Sequence, residues 1–250
     1  MFGFKDLRNS ERYKLLRNLV IALLCVNSFY LVRTLQVSGI ACSFIAACLH
    51  YSLLAAFSWM VIISTDVYMK INHPFADHSK RFTYSRFICW LGSVIVVGPT
   101  AGITKGNYAS DKCWLNAKSG SIWTFIFPMC ISNLIVLVQL IVIGYVAFKK
   151  SQLPNQTEEE MQTLKRIRNM FRGILFLVPA VGLSWIFGGI IVFCDWQAME
   201  YIYVIVNSMQ GFLILLSQFV FSNEVRQSFR KRFGNQIQQD SSNGTESVGA

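Results

Sequence analysis

Six long apolar runs separated by shorter polar stretches dominate the pattern of this chain. They are Leu15–Val32, Ile40–Ile63, Phe87–Ile103, Ile122–Phe148, Gly173–Cys194 and Tyr201–Phe221. Each is close to the roughly 20 residues a helix needs to cross the hydrocarbon of a bilayer, although the first and third are short. An isolated strand cannot satisfy its backbone in lipid, so every run is predicted to be a transmembrane helix. After the last run, Asn223-Glu224 can cap a short helix through Phe233. Its Val225, Phe229 and Phe233 share one face, with Arg226, Arg230, Lys231 and Arg232 around it. Such a helix lies along an anionic leaflet. The fold class expected is an all-α membrane protein. Its parts are an N-terminal cytoplasmic segment over 1–14, a transmembrane domain over 15–222, an amphipathic surface helix over 223–233, and a disordered polar tail over 234–250.

Composition strengthens this reading. The chain is 53% hydrophobic and only 14% charged, with 20 Phe and a mean hydropathy of +0.42. A typical soluble protein is about 25% charged. A water-soluble core of this size cannot hide so much apolar side chain, which excludes a soluble enzyme, a disordered chain and a coiled coil. The first run lacks the cleavage-site pattern of a signal peptide.

The net charge of +10 is a statement about topology. With both termini in the cytoplasm, 19 of the 23 Lys and Arg fall inside, and only Arg33, Lys105, Lys112 and Lys118 fall outside. Cytoplasmic loops concentrate positive charge in this way, so nucleic acid is not an expected partner. No CxxC or HExxH spacing occurs, and neither a metal nor a cofactor is expected. The absence of an internal repeat and of an acid–base relay through the spans counts against a six-span transporter.

Within the spans, His50, Asn27, Asn133, Asn207 and Gln210 are polar side chains expected to form hydrogen bonds between helices. Pro179 and Gly182, six and three residues before Trp185, suggest a hinge in the fifth run with Trp185 as its lever. Cys42 and Cys113 both lie at the outer surface. A disulfide between them would tie the long outer loop to a helix top, with Cys194 as the competing partner. Cys25, Cys48, Cys89 and Cys130 read as packing or lipid-facing residues. The sequons at Asn155 and Asn243 fall inside and are expected to be silent.

Several stretches then resemble the adhesion-family G-protein-coupled receptors. Leu177-Val-Pro-Ala-Val-Gly-Leu-Ser-Trp-Ile-Phe-Gly188 resembles their sixth helix. Asn207-Ser-Met-Gln-Gly-Phe-Leu213, followed by Asn223-Glu-Val-Arg226, resembles the seventh helix and the surface helix after it. His50-Tyr51 with Phe57-Ser-Trp-Met60 is similar to the third helix. Cys113-Trp-Leu115 with Trp123, Phe125 and Pro128 is similar to the second outer loop and fifth helix. The resemblance runs from about Arg8 to Arg232. In this register the first run aligns with the family's second helix, so six helices of a seven-helix bundle are expected.

The resemblance implies a multi-pass receptor of the plasma membrane that is not an enzyme. Its partners would be a heterotrimeric G protein, an extracellular ligand or tethered peptide agonist, membrane lipids, and in a dimer a second receptor. It implies Trp185 as the toggle, Pro179 and Gly182 as the hinge, and a Cys42–Cys113 disulfide. Trp114 would plug a pocket to which Phe57, Trp123 and Asn207 contribute, and Lys165, Arg166 and Arg168 would face the G protein. Family members often carry a His and a Glu where this chain has Leu16 and Ile63, so an inner polar lock is expected to be missing or rebuilt around Asp66 and Tyr68. Without the family's first helix, the rival reading is a truncated non-signalling partner or decoy that pairs with other receptors.

Overall fold

The computed structural model describes residues 11–35, 38–72 and 79–152, with single positions at 158, 161, 202, 205, 209, 212 and 216. The fifth apolar run, the surface helix over 223–233 and the tail lie outside the described residues, as does the sixth run apart from those single positions. Four long helices occupy the rest: α1 (Glu11–Arg33), α2 (Ile40–Asn72), α3 (Ser79–Thr104) and α4 (Trp123–Ser151). Each contains a stretch long and apolar enough to span a bilayer: Tyr13–Arg33, Ile40–Lys70, Thr83–Thr104 and Trp123–Val146. The first four expected spans therefore stand as helices, and all four run further than hydropathy alone predicts. At the N-terminal end, α3 begins at Ser79, well before Phe87.

The longest difference is in α2, which has 33 residues and hence a length of about 50 Å at 1.5 Å per residue. That exceeds a hydrocarbon thickness of about 30 Å, so α2 projects beyond the bilayer. The predicted end at Ile63 marked the point where polar residues begin. The helix continues because those residues find partners. Thr65 donates its hydroxyl to the Val61 carbonyl at 2.7 Å, and Asp66 pairs with Lys70 one turn on at 2.6 Å. An acid four residues before a base near a helix C-terminus is the favourable orientation for such a pair.

Among the described elements α2 is central and packs along α1, α3 and α4, while α3 and α4 scarcely touch. Small side chains make this possible. Ala46, Ser52, Ala55 and Ala56 on α2 and Ala22 on α1 are all buried. With no apolar driving force between helices in lipid, close backbone approach through small residues is the main source of attraction. Against this seam pack larger groups, chiefly Leu19, Leu53, Phe57 and Trp59. Trp90 of α3 stacks edge-on to Trp59, with ring centroids 6.2 Å apart. Its indole N–H donates to Asn18 Oδ1 of α1 at 3.4 Å. A second, smaller cluster of Val67, Val136, Leu140 and Ile143 joins α2 to α4 at the opposite end. Phe87, Ile88, Leu91, Val94 and Ile95 on α3 are exposed, as a lipid-facing surface requires.

Among the described residues, two of the side chains expected to bond between helices bond within their own. The Asn27 amide donates to the Leu23 carbonyl at 2.8 Å, and the Asn133 amide donates to the Met129 carbonyl at 2.9 Å. Each is thus satisfied by the turn before it in its own helix. A side chain one turn from a backbone acceptor needs no neighbour to avoid an unpaired polar group in lipid.

Candidate functional site

The end of the bundle assigned to the outside by charge carries the connection from α3 to α4. It opens with a short 3-10 turn, Lys105–Asn107. An isolated antiparallel bridge then pairs Ala109 with Leu115. The Ser110 N–H donates to the Trp114 carbonyl at 2.7 Å, and the Cys113 N–H donates to the Ser110 carbonyl at 2.9 Å. This turn holds Cys113 at a φ of 50°, a left-handed conformation that a non-glycine residue adopts only where its surroundings impose it. Cys113 is bonded to Cys42 on the first turn of α2, with a Cα–Cα distance of 4.8 Å, inside the ordinary disulfide range. The pair expected from the resemblance is the pair formed. Cys194 lies outside the described residues. Gly120, at a φ of 77°, makes the turn into α4, where a left-handed backbone favours glycine.

Beneath this loop the rings of three elements meet. Phe125 of α4 is the hub. Trp114 from the loop meets it edge-on at 5.5 Å, His50 of α2 meets it edge-on at 6.1 Å, and Phe57 lies tilted against it at 6.2 Å. Edge-on arrangements set the electropositive rim of one ring against the electron-rich face of another. Phe57, His50 and Phe125 are buried, whereas Trp114 is only partly so. The site therefore has a dry floor and a half-open cover. Trp123 is not brought into this group. It is exposed among the described residues and stacks on Phe127 at 5.4 Å.

Sequence reasoning overlooked one member. Tyr108 is 2% exposed, and its hydroxyl shares a hydrogen bond with His50 Nδ1 at 2.9 Å. His50 thus fulfils the expectation of a cross-element hydrogen bond, with a loop residue as its partner. Burial, and secondarily the nearby Cys48 thiol, push the Tyr108 phenol above its ordinary range. It keeps its proton and remains able to donate. Arg33 at the end of α1 completes the cover: its Nε donates to the Lys112 carbonyl at 2.6 Å, and its guanidinium lies 5.3 Å from the Tyr30 ring centroid.

At the other end, α2 and α4 are joined by a polar link. The Ser64 hydroxyl donates to Gln139 Oε1, and Gln139 Nε2 donates to Thr65 Oγ1 at 2.8 Å. The lone Gln of a mostly apolar run is the signal that could have identified it, since polar side chains in spans act as interhelical glue. Asp66 pairs with Lys70 on its own helix, Tyr68 packs beside the inner apolar cluster, and the cross-helix link is made by Ser64, Thr65 and Gln139. Leu16 is buried and Ile63 packs against both clusters, so both positions serve the apolar core. Trp185, Pro179, Gly182, Asn207, Lys165, Arg166 and Arg168 lie outside the described residues.

Comparison with known proteins bears on all of this. The family described as "7 transmembrane receptor (Secretin family)" matches residues 1–214. Adhesion G protein-coupled receptor L4 of Homo sapiens is 31% identical over 94% of this chain and 34% of its own length. The Mus musculus protein of the same name is 30% identical over 94% of this chain and 32% of its own. Adhesion G protein-coupled receptor E5 of Bos taurus is 27% identical over 86% of this chain and 33% of its own. The chain spans about a third of the length of these relatives. A match over most of the sequence, four apolar spans and a loop disulfide lead to one conclusion: the chain belongs to the secretin family of seven-transmembrane receptors, among relatives of the adhesion type.

Proposed function

We propose that this chain is the signalling membrane domain of an adhesion-type receptor. It passes a cell-surface signal to a heterotrimeric G protein by rearranging the inner ends of its helices. Family membership and the apolar spans make it a multi-pass protein of the plasma membrane and a receptor, not an enzyme. The observation that carries the reading is the aromatic group of Trp114, Phe125, Phe57 and His50 under a tethered outer loop. A ligand or tethered peptide that displaces Trp114 changes the packing of Phe125 on α4 and Phe57 on α2 together. The two helices then carry that change to their inner ends.

In this reading Trp185 is the toggle and Pro179 and Gly182 are the hinge of the fifth apolar run. Asn207 completes the pocket, and Lys165, Arg166 and Arg168 meet the G protein. The Gln139 link holds the inner ends of α2 and α4 together in the resting state. Signalling is a shift between two existing arrangements, so the ligand must contact them differently. The test is G-protein activation in cells expressing the chain, compared with Trp185→Ala at matched surface level. The variant is expected to lose at least half of the signal. Full signalling by the variant removes the lever assignment, and no signal from either chain removes the autonomous function.

A further inference from the structure

Among the described residues, three attachments of the outer loop to the helices stand out, and they divide into two places. Two grip its tip: the Cys42–Cys113 bond and the Arg33 contact to the Lys112 carbonyl involve adjacent loop residues. The third is on the descending limb. There the Tyr108 side chain drops into the bundle to reach His50 Nδ1 on α2, two turns below Cys42. The same residue organises the rest of the loop from its backbone. Its carbonyl accepts the Asn116 N–H at 3.1 Å. It also shares the Ser121 hydroxyl proton with the Asn116 carbonyl, at 3.2 and 3.0 Å. Ser121 is 1% exposed and stands at the threshold of α4, whose Phe125 carries Trp114.

We infer that Tyr108, seated on His50, is a positioning residue that holds the outer loop and its Trp114 over the Phe125 ring independently of the disulfide. The reason is geometric. The disulfide fixes only the tip, about which the loop can still rotate. Fixing the limb as well leaves Trp114 one seat. A bond shielded from both water and lipid has no competing partner, so its loss leaves a polar group without compensation. The inference rests on the proposed function only in taking the Trp114–Phe125–Phe57 group as the place where a signal is received.

The test is hydrogen exchange of loop amides in the full chain in lipid nanodiscs, which requires no G protein. A failure of signalling is thereby kept separate from a failure of this inference. Six forms are compared: the unaltered chain, Cys42→Ser with Cys113→Ser, Tyr108→Phe, these three changes combined, His50→Gln and His50→Leu. Amides of α2 between residues 59 and 70 serve as the internal reference. Removing the disulfide alone is expected to leave most of the protection of Ser110 and Asn116 in place. Adding Tyr108→Phe to that background is expected to speed their exchange about tenfold, the effect of one buried hydrogen bond. His50→Gln, which keeps an acceptor, is expected to preserve protection, and His50→Leu to lose it. Equal exchange with and without the Tyr108 hydroxyl in the disulfide-free chain overturns the inference, as does equal loss in His50→Gln and His50→Leu.

Discussion

The two ends of the α2–α4 contact are held by different means. At the outer end a disulfide, an Arg33 contact to the loop backbone and the His50–Tyr108 hydrogen bond converge over a floor of aromatic rings. At the inner end the contact consists of four buried aliphatic side chains, with Val61, Ile63, Tyr68 and Val146 against them, and a glutamine amide bonded to Ser64 and Thr65. Aromatic packing and a covalent bond resist rearrangement. Hydrogen bonds between side chains in a membrane are worth little each, about 0.6 kcal/mol on average. The contrast assigns the two ends different roles. On the proposed reading, the outer end fixes the frame, and the inner end is where the helices part.

Graded substitutions sharpen this contrast. Trp59, fully buried between α2 and α3, belongs to the frame. Trp59→Ala is expected to lower unfolding stability by about 3–5 kcal/mol, read as a fall in the midpoint of thermal denaturation in detergent. Replacing Cys42 and Cys113 together by Ser is expected to lower it by about 2–4 kcal/mol, through the freedom gained by the unfolded chain. Non-reducing and reducing melts of the unaltered chain should differ by the same amount. If they coincide, the bond contributes nothing to the frame.

Gln139→Leu removes both arms of the inner link and is expected to cost about 1 kcal/mol. Its more telling effect is on the balance of states: ligand-independent G-protein activation is expected to rise at unchanged surface level. The smallest effect is expected at the edge of the bundle. Lys70→Ala breaks an i, i+4 pair with Asp66, and Lys70 is 30% exposed on its side chain, so the expected loss is below about 0.5 kcal/mol. A larger loss there than at Gln139 would reverse the ranking of the inner contacts.

What the sequence revealed and what it did not follows from the kind of signal each residue gives. The first four spans were legible because lipid demands long apolar helices and nothing else writes that pattern. The extension of α2 to Asn72 was not. Hydropathy falls at Ser64, Thr65 and Asp66, and only the fold shows that Gln139 and Lys70 satisfy them. Trp114, Phe57 and the disulfide were identified by resemblance, from residues quoted in the loop and third-helix motifs. Tyr108 was missed because a tyrosine in a polar loop has no periodicity to indicate which way it points. For Asn27 and Asn133 the bond seen among the described residues runs to their own helix. An amide can turn back on its own helix, and composition does not distinguish that choice from a bond to a neighbour.

The central claim is that the outer end stays fixed while the inner end moves, and it can be measured directly. Spin labels at two pairs of positions would report it: Lys70 with Tyr145 at the inner ends of α2 and α4, and Phe44 with Phe127 at their outer ends. Distances would be recorded in nanodiscs with and without a nucleotide-free G protein. The account predicts a shifted or broadened inner distance on addition of the G protein and an unchanged outer one. An outer distance that changes as much as the inner one would contradict it.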